Sequence, residues 1–490
     1  MAQIESAEKR GSSNQHPGEQ RYSMYIGGQW VTSDQWFEVK SPYDGSLIGL
    51  VPVATPEQVT SAIDAAEKAF QLAVRMTPYD RYVILKKTAD LLVAHAEELA
   101  RAITSENAKV LRESRGEVAR AADTFVYASE EAKRIHGETI PLDGVPSGAG
   151  RIAYTVREPI GIIAAISPFN APLNLVAHKI APAIAAGNTV VLKPASSTPI
   201  IALKLAKLME EAGLPKGILN VVTGSSQVGE RLIKDPRIVL VSFTGSPEVG
   251  RHIRDAAGFK RFTLELGSNS AVIVDDDSRL DEAVTRCVQG GFAHQGQVCI
   301  STQRILVQRD IEQVFVKKLT EAVGRLKVGD PFDEKTDISA LITEKDTVRV
   351  LNWIEEAKNA GAKLATGGER QGNAVTATVL TNVKPEMKVF KEEVFGPLVA
   401  VTSYGDFDEA IKLVNSSRFG INAGVYTRNL DKAMKATREI KAGAVLINDV
   451  PTYRVDHMPY GGVKESGQGR EGLKYAIEEM TELKLVIFKL

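Results

Sequence analysis

Residues 161–193 read GIIAAISPFNAPLNLVAHKIAPAIAAGNTVVLK, and the order of patterns within them decides the fold. The first six residues form a short apolar, β-rich run, and 189–192 form another. Between them lies a helical segment at 172–186. Runs of the same kind recur at 219–222, 239–243, 262–264 and 271–274, with helical segments at 199–212, 226–234 and 247–257 separating most of them. Strand–helix alternation predicts right-handed βαβ units and a parallel sheet. Parallel strands are buried on both faces and read as continuous apolar stretches, as these do. Ligands of such sheets sit at the carboxyl ends of the strands, so the residues just after each run are the candidates for chemistry.

Upstream the chain reads helical. Thr55-Pro56-Glu57-Gln58 offers an N-cap, a proline at the first helical position and a capping-box glutamine. Val59, Ile63, Ala66, Phe70 and Ala73 follow at spacings of three and four. Further helical runs cover 79–108 and 113–136. Downstream, a second alternating region extends over 268–465, with strands near 304–308, 398–403, 423–427 and 443–447 and helices such as 279–293, 309–325, 347–360 and 429–439. The segment 151–157 follows a Gly/Pro-rich turn and reads as an arm. Residues 483–490 form another strand without a partner nearby in sequence. Two such strands need edges to pair with, and a second subunit is the expected source.

At 490 residues the chain is too long for one core and should split into two or three domains. Its formal net charge of -1 gives no field that draws it to nucleic acid or an anionic membrane. Cys287 and Cys299 are its two cysteines, which excludes a disulfide framework and leaves each as a core residue or a reagent. The seven histidines are scattered, with no spacing suited to a metal, and none is expected. Residues 1–20 are polar and unlike a signal peptide. No run of about 20 apolar residues occurs, so no membrane association and a cytoplasmic location are expected.

Six motifs occur in order: Ser167-Pro168-Phe169-Asn170, Lys193-Pro194-Ala195-Ser196, Phe243-Thr244-Gly245-Ser246, Glu265-Leu266-Gly267, Gly296-Gln297-Val298-Cys299, and Glu392-Glu393-Val394-Phe395-Gly396-Pro397. With Pro459-Tyr460-Gly461-Gly462, this ordered set resembles the aldehyde dehydrogenase superfamily from about residue 22 onward. The resemblance implies an α/β fold. A Rossmann-type parallel-sheet cofactor domain would cover 1–137 and 158–266, an α/β catalytic domain 267–465, and a β-arm for oligomerisation 138–157 and 466–490. A homo-oligomer, dimer or tetramer, follows from the same likeness.

A thiol is intrinsically nucleophilic toward a carbonyl, and the resemblance makes Cys299 the residue that attacks the aldehyde, forming a thiohemiacetal and then a thioester. Cys287, beside Val288 in a helical run, reads as a core thiol. Asn170 would stabilise the oxyanion with the backbone N–H of Cys299, where one lost donor costs about 10²–10³ in turnover. Glu265 lies between Leu264 and Leu266, an apolar setting that raises a carboxyl toward a useful general base; in the family it activates the deacylating water. Its presence argues for hydrolysis over transfer of the acyl group to coenzyme A. Family members commonly have a second Gly after this motif, whereas here Ser268-Asn269 follow.

Gly245 and Ser246 at a helix N-terminus suit a pyrophosphate. The resemblance adds Ser167 to the cofactor site, Lys193 at the adenosine ribose, and Glu393 with Phe395 at the nicotinamide end. A literal G-x-G-x-x-G at 467–472 follows a loop instead of a strand and is rejected as a dinucleotide fingerprint. NAD-preferring relatives commonly carry Glu at the position of Ser196. A serine there does not repel a 2′-phosphate, so NADP, or both NADP and NAD, is expected.

For the substrate, Asn174 and His178 fall on the helix after Asn170, and Arg120 and Arg454 are expected to face the same tunnel. Two arginines beside two polar side chains would hold an anionic head group. The segment around Arg454 is similar to that of relatives acting on lactaldehyde, sulfolactaldehyde, phosphonoacetaldehyde or glyceraldehyde 3-phosphate. Some phosphate-binding relatives have Arg just before the nucleophile, where Val298 stands. The expected substrate is a short aldehyde bearing a hydroxyl or an anionic group, with succinate semialdehyde as the alternative.

Overall fold

The computed structural model describes residues 20–490, so the polar leader, save for Gln20, lies outside the described residues. Five parallel strands form the centre of an eight-stranded sheet in the order Leu219–Val221, Thr189–Lys193, Ile162–Ile166, Ile238–Thr244, Arg261–Glu265. In chain order that is third, second, first, fourth, fifth. Winding therefore reverses between Ile162–Ile166 and Ile238–Thr244, which opens a crevice at the carboxyl ends of the strands. The register sets Ile166 beside Lys193 and Phe243, and Thr244 beside Glu265. Ser167, Lys193, Gly245 and Glu265 therefore emerge at one end of the sheet.

The helix Asn174–Ala185 is buried at all twelve positions. It packs against Leu111–Ala132, Leu473–Glu479 and the strands Ile162–Ile166 and Thr189–Lys193. Side chains such as Ile180 and Ile184 each contribute about 1.5–3 kcal/mol by burial. His178 and Lys179 on the same helix must instead find polar partners. Thr55 caps Pro56–Ala73 through the expected capping box. The run expected over 79–108 is two helices, Pro78–Ala94 and Ala96–Asn107, broken where His95 takes φ -105° and ψ 18°.

The apolar run 271–274 continues the first series in sequence but opens the second sheet. Ala271–Val274 lies parallel between Arg304–Gln308 and Asn422–Tyr426. The seven-stranded order is Lys363–Thr366, Thr378–Thr381, Leu398–Tyr404, Arg304–Gln308, Ala271–Val274, Asn422–Tyr426, Ala444–Ile447.

The arm corrects one expectation. Arg151–Pro159 and Thr481–Lys489 pair antiparallel with each other over nine residues, so each finds a partner within its own chain, and Thr481–Lys489 stands at the edge of a three-stranded sheet. Chain separation hid this, since the partners are more than 300 residues apart. Gly467–Gln468 joins the edge of the first sheet beside Leu264–Glu265, and Leu473, Ile477 and Met480 lie in the core packed on that sheet.

Candidate active site

Cys299 follows a turn, Ala293–Gly296, whose last three residues all have positive φ: His294 46°, Gln295 55° and Gly296 72°. Gly296 tolerates no side chain, because a Cβ there would lie 2.1 Å from the Gly396 carbonyl oxygen. The loop before Cys299 and the Phe395-Gly396 loop thus touch backbone to backbone. Gln303 clamps the second loop: its amide donates to Val389 and Glu392 carbonyls, and its oxygen accepts from Val394 N–H. Asn269 adds two more bonds, to the Phe390 and Lys391 carbonyls. The turn after Glu265 holds with serine at 268, whose N–H donates to Glu393 at 2.9 Å.

The Cys299 sulfur lies 3.0 Å from the Tyr460 hydroxyl. Burial pushes its thiol up to about 11, against the pull of the Tyr460 bond and the Arg454 charge. Cys287 is fully buried in an apolar cluster and is pushed up to about 12 by burial. The Asn170 amide donates to the Gln297 carbonyl, two residues before Cys299, at 2.9 Å. Its own carbonyl accepts from Lys109, which is paired with Glu117. Glu117 in turn accepts from the N–H groups of Leu173 and Asn174. The Ser167–Asn170 turn is therefore tied to the preceding helix by buried charges, an arrangement that costs about 3–5 kcal/mol if one partner is removed.

Glu265 is buried and neither carboxylate oxygen has a hydrogen-bond partner. Burial, then the nearby Glu471, raises its pKa well above the ordinary value, against Arg454 and Lys179. The two acids diverge. Although burial opposes it, Lys179 at 3.4 Å and Arg454 at 3.0 Å hold Glu471 down to about 2. Glu265 is thus shifted toward its acid form and Glu471 toward its anion.

A cavity of about 710 Å³ is lined by Cys299, Asn170, Phe169, Gly245, Ser246, Glu393 and Phe395, among others. Phe169 and Phe395 meet edge to face, with ring centroids 5.9 Å apart. Ser246 caps the helix Pro247–Ala257, its hydroxyl accepting from the Val249 N–H. The Lys193 ammonium is buried with the Pro194 carbonyl as its bonding partner, and burial lowers its pKa to about 8. The Ser167 hydroxyl, at the end of the adjacent strand, is buried with no partner. A cation and a hydroxyl so under-satisfied at a strand-end crevice fit a ligand rich in acceptors, as a dinucleotide is. Ser196 donates to the Gly224 carbonyl at 2.8 Å.

Arg120, Asn174 and His178 converge on one residue, Asp456. Arg120 binds it at 2.7 and 3.1 Å, the Asn174 amide at 3.0 Å and His178 Nε2 at 2.8 Å. Burial opposes ionisation, yet His178 and Arg120 hold this carboxyl well below the usual range. Burial, then the Arg454 charge, lowers the pKa of His178, and its Nε2 lies between Asp456 at 2.8 Å and the Arg454 guanidinium at 3.2 Å. Arg454 stacks on the Tyr460 ring, its guanidinium carbon 3.7 Å from the centroid, and pairs with Glu471.

The aldehyde dehydrogenase family pattern matches residues 30–486. The chain belongs to the aldehyde dehydrogenase family. A 3-sulfolactaldehyde dehydrogenase of Priestia aryabhattai is 50% identical, over 96% of this chain and 98% of its own. Aldehyde dehydrogenase 21 of Physcomitrella patens, solved with the reaction product succinate, is 39% identical with a TM-score of 0.94, covering 96% of this chain and 98% of that one. The NADP-dependent glyceraldehyde-3-phosphate dehydrogenase of Bacillus halodurans, solved with NADP, is 36% identical with a TM-score of 0.94, covering 96% and 100%.

In this NAD(P)-dependent aldehyde dehydrogenase, the residues singled out from sequence fall into two groups. Cys299, Asn170, Gly245, Ser246, Glu393 and Phe395 line one cavity, with Glu265 buried at the end of the strand beside Thr244. Arg120, Asn174, His178 and Arg454 form a cluster that is not part of that cavity wall, and both arginines are already ion-paired. Sequence reading missed Asp456, Glu471, Lys179 and the Tyr460 contact. Glu471 sits inside the rejected G-x-G-x-x-G at 467–472, and an acid within a glycine loop was the available signal.

Proposed function

We propose that this enzyme oxidises a small aldehyde bearing a hydroxyl or an anionic group to its carboxylic acid. The observation that carries the reading is the juxtaposition of Cys299 and Asn170 on one cavity with Arg120 and His178 on Asp456 and Arg454 beside His178, Arg454 stacking on the tyrosine that contacts Cys299. Cys299 attacks the carbonyl carbon, and the Asn170 amide, released from Gln297, donates with the Cys299 N–H to the developing oxyanion. Bound NAD(P) supplies the hydride acceptor that turns the thiohemiacetal into a thioester. Glu265 then takes a proton from the water that attacks the thioester, and the acid leaves while the thiol is restored. Gly245 and Ser246 would cradle the pyrophosphate, Ser167, Lys193 and Ser196 the adenosine side, and Glu393 with Phe395 the nicotinamide side.

Two relatives support an anionic substrate: sulfolactaldehyde bears a hydroxyl and a sulfonate, and succinate is the product bound to the Physcomitrella enzyme. The latter favours succinate semialdehyde as the second reading. Initial rates on a panel of short aldehydes test the choice. Highest kcat/KM on long aliphatic or aromatic aldehydes would sink both readings. Arg120, with its side chain 42% exposed, is the arginine placed to exchange Asp456 for a substrate anion. Arg120→Ala should raise KM for the anionic aldehyde about tenfold or more while leaving propanal nearly unchanged. Equal effects on both aldehydes would remove Arg120 from the substrate site.

For the cofactor we propose use of NADP, or of both, with NADP favoured. No carboxylate stands at 196 to repel a 2′-phosphate, and the Bacillus halodurans relative is NADP-dependent. Ser196→Glu should lower the NADP-to-NAD ratio of kcat/KM by about tenfold or more; an unchanged ratio would place Ser196 outside the adenosine site. The proposed domains follow the two sheets, 1–137 with 158–266 and then 267–465. A cytoplasmic location and a homo-oligomer, dimer or tetramer, complete the reading. Among the described residues no helix is long and apolar enough to cross a membrane. The arm exposes Ile152, Leu483, Leu485, Ile487 and Phe488, apolar surface suited to a second copy.

A further inference from the structure

We infer that the Tyr460 hydroxyl is the hydrogen-bond donor that stabilises the thiolate of Cys299 when the thiol gives up its proton, with Arg454 beside the ring supplying positive charge. The inference rests on the reading of Cys299 as nucleophile. Tyr460 is 3% exposed and packs in a small cluster with Ile300, Ile421 and the nucleophile itself. Its backbone is pinned by two bonds to Glu471, at 3.0 and 2.7 Å. That places the phenol oxygen 3.0 Å from the sulfur. The Arg454 guanidinium carbon lies over the ring, 3.7 Å from its centroid, and the group is fixed there by Glu471 at 3.0 Å. Glu471, Arg454, Tyr460 and Cys299 thus form one chain of contacts ending on the reacting atom.

A buried thiol needs help to ionise, and among the described residues the hydrogen-bond partner of this sulfur is Tyr460 rather than a histidine or lysine. Burial drives the thiol up, while Tyr460 and Arg454 both pull it down. Burial also holds the phenol well above its ordinary value, so Tyr460 keeps its proton and donates it. The thiol proton leaves to water through the cavity that Cys299 lines. A cation over the ring face draws density from the phenol and makes it the stronger donor. Each unit of thiol pKa removed raises the thiolate fraction tenfold, while nucleophilicity falls by only about threefold. The device gains rate as long as the thiol titrates above the working pH.

The test is the pH dependence of iodoacetamide alkylation of Cys299, measured in a Cys287→Ala background so that one thiol reports. Tyr460→Phe keeps the ring, its packing and the Arg454 stack and removes only the hydroxyl. Its alkylation midpoint should rise by about one to two pH units, with KM for the cofactor and the thermal midpoint unchanged. Arg454→Gln, which removes the charge and leaves the phenol, should move the midpoint the same way by less, and it carries the test if the phenylalanine variant does not fold. A Tyr460→Phe profile that superimposes on the parent overturns the proposal. A shift in that variant alone removes Arg454 and keeps the phenol. Alkylation reads the sulfur without turnover, so the Tyr460 assignment can fail while Cys299→Ala remains inactive, and the reverse.

Discussion

Cys299→Ala should lose aldehyde oxidation by a factor on the order of 10⁴ or more, while NAD(P) still binds. Cofactor affinity should survive because the change is confined to one wall of the cavity; Gly245, Ser246, Glu393 and Phe395 keep their supports. Those supports are the Ser246 cap, the Ser268 N–H bond to Glu393 and the Gln303 clamp, none of which involves the sulfur. Cys287→Ala should keep most activity, since that thiol lies in the apolar cluster around Val272, Val274 and Phe315. Its cost is the loss of one buried sulfur, about 1–2 kcal/mol of stability. Steady-state rates and cofactor fluorescence titrations on the two variants decide the matter. An active Cys299→Ala with an inactive Cys287→Ala would reverse the assignment.

The strand ends were legible because burial on both faces writes parallel strands as apolar runs. Ile162–Ile166 and Thr189–Lys193 are examples, and the residues that follow them stand where the crevice opens. Edges are written less plainly. Lys363–Thr366 is half exposed with two exposed positions, and Gly467–Gln468 is a strand of two residues. Neither carries enough pattern to be read. Helix Phe407–Asn415 does carry its pattern, with Phe407, Ala410, Ile411 and Val414 at i, i+3, i+4 and i+7 behind the Asp406 cap. Ion-pair partners are the least legible of all. Arg120 and Asp456 are 336 residues apart and Cys299 and Tyr460 161, and no periodicity links such residues. The sequence told which side chains were unusual, and the fold decided which of them neutralise each other.

Glu265→Gln should separate the two halves of the reaction. The variant keeps the shape of the side chain and the Cys299 loop, so attack on the aldehyde and formation of the thioester proceed. It lacks a group able to take a proton from water. A burst of reduced cofactor of at most one equivalent per site should appear, followed by turnover slowed by about 10² or more. The parent enzyme adds a pH signature whose sign follows from the geometry. Glu265 is buried with no hydrogen-bond partner and lies near the anionic Glu471, so its pKa is raised. The shift favours the acid, the wrong form for a base, over a wider pH range than for an ordinary carboxyl. Deacylation should speed up as pH rises through that titration, and the rise should be absent in Glu265→Gln. Glu471→Gln offers an independent check, because removing that negative charge lowers the pKa of Glu265 and should carry the rising limb to lower pH. Loss of burst and steady state in equal measure in Glu265→Gln would show that the carboxyl acts before the thioester forms, and would move its role from hydrolysis to the attack by Cys299.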